Sequence, residues 1–255
     1  MVHVVTVHLS DNWIGLQNKY IRQNIPDVKI YGVLVRMGDS GGESFDVVIR
    51  SDDEPIKKEE HDHVKNANLG LFLVQDEAAD DDIIILMDGD AFPIGDIEPL
   101  LLKLDQGHDM VAIVRPENGE NHPHPAFVAA YAKKWKSKLT LEGHMPEIKG
   151  SDKSWFSLKK TYNKYSFHGV FFSIYGGVIY HHGAGFRAAG VGSRWNLRPD
   201  GTLIYTKNEL IYMKKIMLRF INNHPDDFYL MFKEGKWREE FIKRWKLKVK
   251  KRIGV

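Results

Sequence analysis

The chain has 255 residues, of which 43% are hydrophobic and 27% are charged, and its formal net charge is only +2. This composition fits one large globular domain, with or without a helical extension, and excludes a string of small modules. The absence of cysteine excludes disulfides, thiolate metal sites and cysteine nucleophiles, so any metal must be held by oxygen or imidazole ligands.

Membrane insertion and secretion are not expected from the sequence. No segment approaches the ~20 apolar residues that span a bilayer, and the first residues lack the basic and apolar pattern of a secretory signal. We therefore expect a cytoplasmic protein. Its charge is uneven, because residues 236–252 hold nine Lys or Arg residues against two Glu.

The chain begins with a pattern of strand, helix and strand. Residues 2–9 are rich in β-branched side chains and predict a first strand. A helix capped by Ser10 or Asp11 follows, and Pro26 marks its end near residue 24. Residues 30–35 predict the second strand.

The same alternation continues to about residue 115. One face of a predicted amphipathic helix carries Val64, Ala67, Leu71 and Val74. Residues 83–87 are all apolar, as in a strand buried on both faces of a mostly parallel sheet. A short helix over residues 97–104 and a strand over residues 110–114 come next. The order predicts an open α/β sheet with right-handed crossovers, flanked by helices.

The second half of the chain is less regular. Residues 115–170 predict loops and antiparallel pieces, in which the His-Pro-His-Pro run at 122–125 forms a rigid cleft wall with Phe127 turned inward. Residues 176–180 predict a late strand, and Thr206 begins a capping-box pattern. We expect a domain of residues 1–205 with a helical extension of residues 206–255 packed on it.

Two aspartates follow the apolar strand directly. Asp88 and Asp90 are one residue apart, and Gly89 between them permits close backbone approach. Ligands of open parallel sheets bind at the carboxyl ends of the strands, and carboxylates placed there suit Mg²⁺ or Mn²⁺. Asp80 and Asp82 have the same spacing but precede the strand, which favours a solvated turn for them.

The stretch IIILMDGDAFPIGDIEPLL, which includes Asp88 and Asp90, resembles the Asp-x-Asp segment of GT-A glycosyltransferases. The opening VVTVHLSDNWIGLQNKYIRQN resembles the first β-α unit of small bacterial and algal-virus members of that group. The resemblance covers residues 1–115 and extends more loosely to the segment HHGAGFR. It implies a Rossmann-like GT-A domain and a metal-dependent transfer of a sugar from a UDP or GDP sugar to a glycan or lipid-linked acceptor.

The resemblance also implies a third metal ligand, which in GT-A enzymes is often a late histidine. Strand alternation lets only one of His181 and His182 point into the cleft. His182 is favoured because Gly185 follows it at the spacing of the His-x-x-Gly pattern of several retaining members, and His181 is the alternative. The predicted metal ligands are therefore Asp88, Asp90 and His182.

The nucleotide and its diphosphate have their own candidates. The resemblance places base and ribose contacts at the end of the first strand, which here carries Thr6 and His8. Asn66 on the next helix is a further candidate. Arg187 and Arg194 lie in a glycine-rich stretch that could fold over a diphosphate, and a guanidinium binds phosphate oxygens bidentately. Asp88 would reach the donor through the metal.

The residues needed next to the acceptor depend on whether the transfer inverts or retains the anomeric configuration. The sequence leaves this open. An inverting enzyme needs a general base on the acceptor hydroxyl, whereas a retaining one can use the leaving phosphate. Asp152, beside Trp155 and Phe156, is the first candidate for that base. Glu142 and Glu147 are alternatives, and a helix cap explains Asp152 equally well.

Two further features have competing explanations. His61 and His63 have ligand-like spacing, but the charged residues around them favour a solvated helix start. The basic segment of residues 236–252 fits a helix packed on the domain, with peripheral contact to the inner membrane face as the alternative. Nucleic acid is not predicted as a partner.

Two other functions compete with a transferase. An α/β phosphohydrolase also uses two aspartates after a strand, but on the first strand and followed by Thr, whereas here Ala91 and Phe92 follow a later strand. A non-catalytic nucleotide- or carbohydrate-binding module would account for the aromatic residues and a metal.

Overall fold

The computed structural model describes residues 1–9, 13–52, 59–117, 120–137, 139–142, 145–148, 155–166 and 170–181. By its internal contacts the chain divides into two compact units, one of residues 1–163 and 172–183 and one of residues 164–171 and 184–255. Most of the second unit lies outside the described residues. The predicted boundary between residues 205 and 206 lies outside them as well, and the two-part division at that point stays a prediction.

A central sheet of seven strands dominates the first unit. Its strands are β1 (Val2–His8), β2 (Val28–Val35), β3 (Val47–Ser51), β4 (Ile83–Asp88), β6 (Met110–Glu117), β7 (Glu120–Tyr131) and β10 (Trp155–Leu158). The described helices are α1 (Ile14–Asn24), α2 (Glu59–Glu77), α3 (Glu98–Asp105) and α4 (Ala132–Ser137).

The strand order of the central sheet is β10-β6-β7-β4-β1-β2-β3. All of its strands run in the same direction except β7, which is antiparallel to both β4 and β6. The predicted α/β class and mostly parallel central sheet are therefore confirmed. Strand β4, which ends at Asp88, lies between β1 and β7 in the middle of the sheet.

Helices cover both faces of this sheet. Val4 on β1 and Ile85 on β4 belong to one buried cluster with Ile21 of α1 and Leu104 of α3. Successive side chains of a strand point to opposite faces. Helix α2 covers the other face. Its Gly70 lies so close to β1 and β2 that a Cβ added to this glycine would meet Val5 at 2.6 Å and Val33 at 2.8 Å.

Smaller strands complete the described fold. A four-stranded sheet has the order β11-β12-β13-β5, with β5 (Ala91–Pro93), β11 (Lys160–Ser166), β12 (Val170–Tyr175) and β13 (Ile179–His181). Strands β8 (Leu139–Glu142) and β9 (Met145–Ile148) form an antiparallel pair. Strand β5 is three residues long and follows the two aspartates directly.

Most predicted elements of the first half are present, with two differences. Helix α1 begins at Ile14, later than the predicted caps Ser10 and Asp11, which lie outside the described residues. Strand β3 was not predicted; it is only five residues long and lies at the edge of the sheet, so its sequence signal is short. No described helix has the length and apolar content needed to span a bilayer.

Candidate functional site

The two aspartates lie at the carboxyl edge of the central sheet. Asp88 is the last residue of β4 and is aligned with Val7 of the parallel neighbour β1. Gly89 makes the turn, and Asp90 directly precedes β5 and is buried. This is the edge at which open α/β sheets bind their ligands.

An antiparallel pairing of two distant strands brings a histidine to the same place. Strand β13 is antiparallel to β5, and His181 lies opposite Ala91, the residue after Asp90. The imidazole Nε2 of His181 lies 3.6 Å from Oδ2 of Asp88 and 3.5 Å from Oδ1 of Asp90. The β5–β13 pairing thus joins a late segment of the chain to the Asp-Gly-Asp turn.

These three side chains form a group suited to a divalent cation. One ligand atom from each of Asp88, Asp90 and His181 can be chosen so that all lie within 4.8 Å of one another. Ligands of an octahedral Mg²⁺ at 2.0–2.1 Å are about 3 to 4 Å apart, so the observed separations fit atoms arranged around one ion. The carboxylate oxygens suit Mg²⁺ or Mn²⁺, and imidazole is an accepted nitrogen ligand.

Histidines surround Asp88 and stabilise its charge. His63 of α2 is buried, and its Nε2 lies 3.1 Å from Oδ1 of Asp88. Burial by itself raises the pKa of Asp88, but His63 together with the charges of His124 and His181 holds this pKa well below its usual range. Asp88 is therefore a carboxylate at any physiological pH.

Strand β7, the antiparallel neighbour of β4, contributes a further histidine near His181. The rings of His124 and His181 are 5.6 Å apart between centroids. Nδ1 of His124 accepts a hydrogen bond from the backbone N–H of Ala126 at 3.1 Å, which fixes the orientation of the ring. Phe127 is fully buried, so its predicted inward orientation is confirmed.

A side chain of helix α1 forms hydrogen bonds with the backbone on both sides of the Asp-Gly-Asp turn. The amide nitrogen of Gln17 donates to the carbonyl oxygen of Asp88 at 2.7 Å and to that of Ala91 at 2.6 Å. Gln17 is completely buried. These two hydrogen bonds bracket Gly89 and Asp90 and fix the backbone on both sides of the two carboxylates.

The predicted nucleotide contacts lie close to this turn but are buried. Nε2 of His8 is 3.1 Å from Oγ1 of Thr6 at the carboxyl end of β1. Burial lowers the pKa of His8 to about 4, against a smaller opposite effect of a hydrogen bond with Gln17, so His8 is neutral at pH 7. Asn66 lies buried on α2. Their contact with a nucleotide stays a prediction.

Four predicted site residues lie outside the described residues: Asp152, His182, Arg187 and Arg194. His182, the favoured third ligand, therefore stays a prediction. His181, the alternative, is the histidine that the structure places beside Asp88 and Asp90.

The position of His63 at this site was not predicted from the sequence. The expectation of a solvated helix start is wrong for His63, which is 7% exposed. His63 and Asn66 extend the buried stripe of Ala67, Leu71 and Val74 toward the start of α2, at helical spacings of three and four residues. Polar residues on that stripe, next to a strand that ends in two aspartates, were the available signal.

No protein-family model and no curated protein matches the chain. Among solved structures it is similar to the galactosyltransferase LgtC, solved with donor and acceptor sugar analogs, at 14% identity and a TM-score of 0.37 over 52% of this chain and 59% of that one. It is also similar to a glycosyltransferase involved in the glycosylation of the major capsid of PBCV-1, at 7% identity and a TM-score of 0.34 over 53% and 62% of the two chains.

A third similar structure is 4-diphosphocytidyl-2C-methyl-D-erythritol synthase, at 10% identity and a TM-score of 0.33 over 52% of this chain and 75% of that one. The chain thus spans about three fifths of the length of the two glycosyltransferases that it resembles.

Proposed function

We propose that the chain is a metal-dependent glycosyltransferase that moves a sugar from a UDP or GDP sugar to a glycan or lipid-linked acceptor. The observation that carries this proposal is the convergence of Asp88, Asp90 and His181 at the carboxyl edge of a mostly parallel sheet. That edge is the usual place for a nucleotide in such sheets. The sequence from residue 83 to residue 101, which resembles the Asp-x-Asp segment of GT-A enzymes, supports the same function.

The cofactor of this proposal is Mn²⁺ or Mg²⁺, held by the two carboxylates and the imidazole. When bound, the ion supplies positive charge that balances the diphosphate as the nucleotide leaves. The residues of the chain are already arranged for this, since the carboxylate of Asp88 stays charged and Gln17 fixes the turn that bears it.

In the transfer, an acceptor hydroxyl oxygen forms a bond to the anomeric carbon, and the bond from that carbon to the diphosphate breaks with its electron pair. In an inverting reaction Asp152 takes the hydroxyl proton, and in a retaining one the proton goes to the leaving diphosphate oxygen. Thr6, His8 and Asn66 are the proposed nucleotide contacts, and Arg187 and Arg194 the proposed diphosphate contacts.

The proposed acceptor and cellular location follow from the positive charge near the end of the sequence. The cationic segment of residues 236–252 supports contact with an anionic membrane surface, where a lipid-linked acceptor resides. The protein would then work in the cytoplasm at the inner membrane face. A packed C-terminal helix is the alternative use of this segment.

Calorimetric titration tests the core of the proposal. UDP and GDP are titrated into the protein with and without Mn²⁺, and the same is done with Asp90→Asn. We expect one nucleotide to bind in a Mn²⁺-dependent way, and we expect Asp90→Asn to weaken that binding by more than about 100-fold, since it removes a direct ligand. Nucleotide release from sugar donors then identifies the donor class.

Asp81→Asn is the matched control, because the side chain of Asp81 is 86% exposed and pairs with Lys133 away from the site. It should bind nucleotide as the wild type does. Binding that ignores Mn²⁺, or release of phosphate from a simple ester, would contradict a transferase and favour a binding module or a phosphohydrolase respectively.

A further inference from the structure

His63 approaches Asp88 from the side opposite His181. Its Nε2 lies 3.1 Å from Oδ1 of Asp88, whereas His181 faces the other oxygen, Oδ2, at 3.6 Å. The two imidazoles therefore lie next to different oxygens of the same carboxylate. Oδ1 of Asp88 is buried and accepts no well-aligned hydrogen bond in this structure, and Nε2 of His63 lies 3.1 Å from it. Oδ2, on the side of His181, remains available for a cation shared with Asp90 and His181.

The packing of α2 on the sheet determines where His63 lies along the strand direction. Helix α2 connects two parallel strands, so it runs antiparallel to them and starts at the carboxyl edge. Its last residue, Glu77, contacts Lys29 and Tyr31 of β2 at the other end of the sheet. Gly70 sets α2 tightly on Val5 and Val33. His63 lies two turns before Gly70, about 10 Å along the axis on the same face.

We infer that His63 is a positioning residue that holds Asp88 in its metal-binding orientation by turning its Nε2–H onto Oδ1, the buried oxygen that otherwise lacks a donor. This inference rests on the proposed function, because it needs a cation at Asp88, Asp90 and His181. It gives His63 no direct bond to the ion, since the group that can share one ion contains the other three side chains. Outer-shell partners of this kind commonly change metal affinity 10- to 100-fold.

Two amide substitutions of different reach test the inference. In His63→Gln, the amide nitrogen of the glutamine reaches the position of Nε2 and can still donate to Asp88. In His63→Asn, the side chain is one methylene shorter and its amide nitrogen does not reach that position. Mn²⁺ alone is titrated into each protein and followed by calorimetry and by the electron paramagnetic resonance signal of free Mn²⁺. We expect His63→Gln to retain affinity within about threefold and His63→Asn to lose about 10- to 100-fold.

Thermal unfolding without metal provides the second readout. His108→Asn is the matched control, because His108 packs against Phe156 beside a separate cavity of about 360 Å³ that Asp105 and Tyr131 also line. A merely structural role would lower the unfolding temperature of both His63 variants and leave Mn²⁺ affinity unchanged, which would overturn the inference. Loss of binding by more than 100-fold in both variants would also overturn it, in favour of a direct ligand.

The two hypotheses fail in different ways. If the wild type binds no Mn²⁺, the proposed function fails. If the wild type and His63→Asn bind Mn²⁺ equally, only the role of His63 fails.

Discussion

Gly89 stands between the two carboxylates and is packed against the end of β1. A Cβ at this position would meet the backbone oxygen of Val7 at 2.4 Å and Nδ1 of His8 at 2.8 Å. Real Cβ atoms do not approach a backbone oxygen so closely, and β1 lies in the middle of the sheet between β4 and β2. The turn therefore needs glycine for space, so that Asp88 and Asp90 can both reach the edge of the sheet.

Gly89→Ala should damage both stability and metal binding. Because β1 cannot yield, the turn must shift, and we expect a loss of about 1–3 kcal/mol in the free energy of unfolding, as for other overpacked sites. Mn²⁺ affinity should fall as well. Urea denaturation and Mn²⁺ titration measure the two effects.

The control for this change is Gly15→Ala in the first turn of α1. An added Cβ there meets nothing within 4 Å, so this variant should be as stable as the wild type or slightly more stable. Equal stability and equal Mn²⁺ affinity in Gly89→Ala would show that the contact with Val7 does not constrain the turn.

At the scale of elements, α1 and the turn between β4 and β5 are joined by one side chain. Gln17→Met keeps the length of the side chain but removes the two hydrogen bonds to Asp88 and Ala91. Each buried carbonyl left without its donor costs about 1–3 kcal/mol, so for the two carbonyls we expect a total loss of about 2–6 kcal/mol in the free energy of unfolding. Guanidinium denaturation measures this loss.

Gln23→Met serves as the matched control, since Gln23 is exposed on the same helix. Its stability should stay within about 0.5 kcal/mol of the wild type, as for most surface substitutions. If both Met variants are equally stable, Gln17 does not secure the turn.

The elements that the sequence predicts well are those with a strong periodic signal. Strand β4 is a run of apolar residues, and α2 carries Ala67, Leu71 and Val74 on one face, so both follow from residue pattern alone. Strands β3 and β5 are short, lie at the edge of the central sheet or in the small sheet, and were not predicted. Strand β13 overlaps the predicted late strand of residues 176–180 only at Ile179 and Tyr180. The existence of these strands depends on pairing between distant segments, which one-dimensional periodicity does not contain.

The difference between local patterns and pairing of distant segments also applies to the residues of the site. Asp88 and Asp90 could be found because a local pattern, an apolar strand followed by two carboxylates, defines them. His63 and His124 join them only through the packing of α2 and the reversal of β7. The proline-rich run was expected to form a wall, and the pairing of β7 with β4 places its His124 beside His181.

At the scale of the whole molecule, the two edges of the sheet have different chemistry. The carboxyl edge collects imidazoles around two carboxylates. At the amino edge, polar side chains are joined in a chain of contacts: Nε2 of His3 lies 3.2 Å from Asp82, its Nδ1 lies 3.2 Å from the hydroxyl of Tyr31, and that hydroxyl donates to Glu77 at 2.8 Å. This network ties the starts of β1, β2 and β4 to the end of α2.

Asp82 gives the amino edge a pH dependence that can be measured. The amino group of Met1 is the main cause of a pKa of about 2, and the backbone N–H of Ala79 and His3 add to it against the effect of burial. Because the folded pKa lies below the ordinary value of 3.8, the stabilisation by Asp82 is complete above about pH 5 and is lost as pH falls toward 2.

Asp82→Asn should therefore lower the free energy of unfolding by about 1–2 kcal/mol at pH 6, a figure reduced for the partial exposure of the ion pair. The difference from the wild type should shrink steadily between pH 5 and the lowest pH at which both proteins stay folded. Urea denaturation at intervals across this range measures it. Asp81→Asn, which removes an exposed charge next to it, should show almost no difference at any pH. A pH-independent difference for Asp82→Asn would mean that the carboxylate stabilises the edge through packing rather than charge.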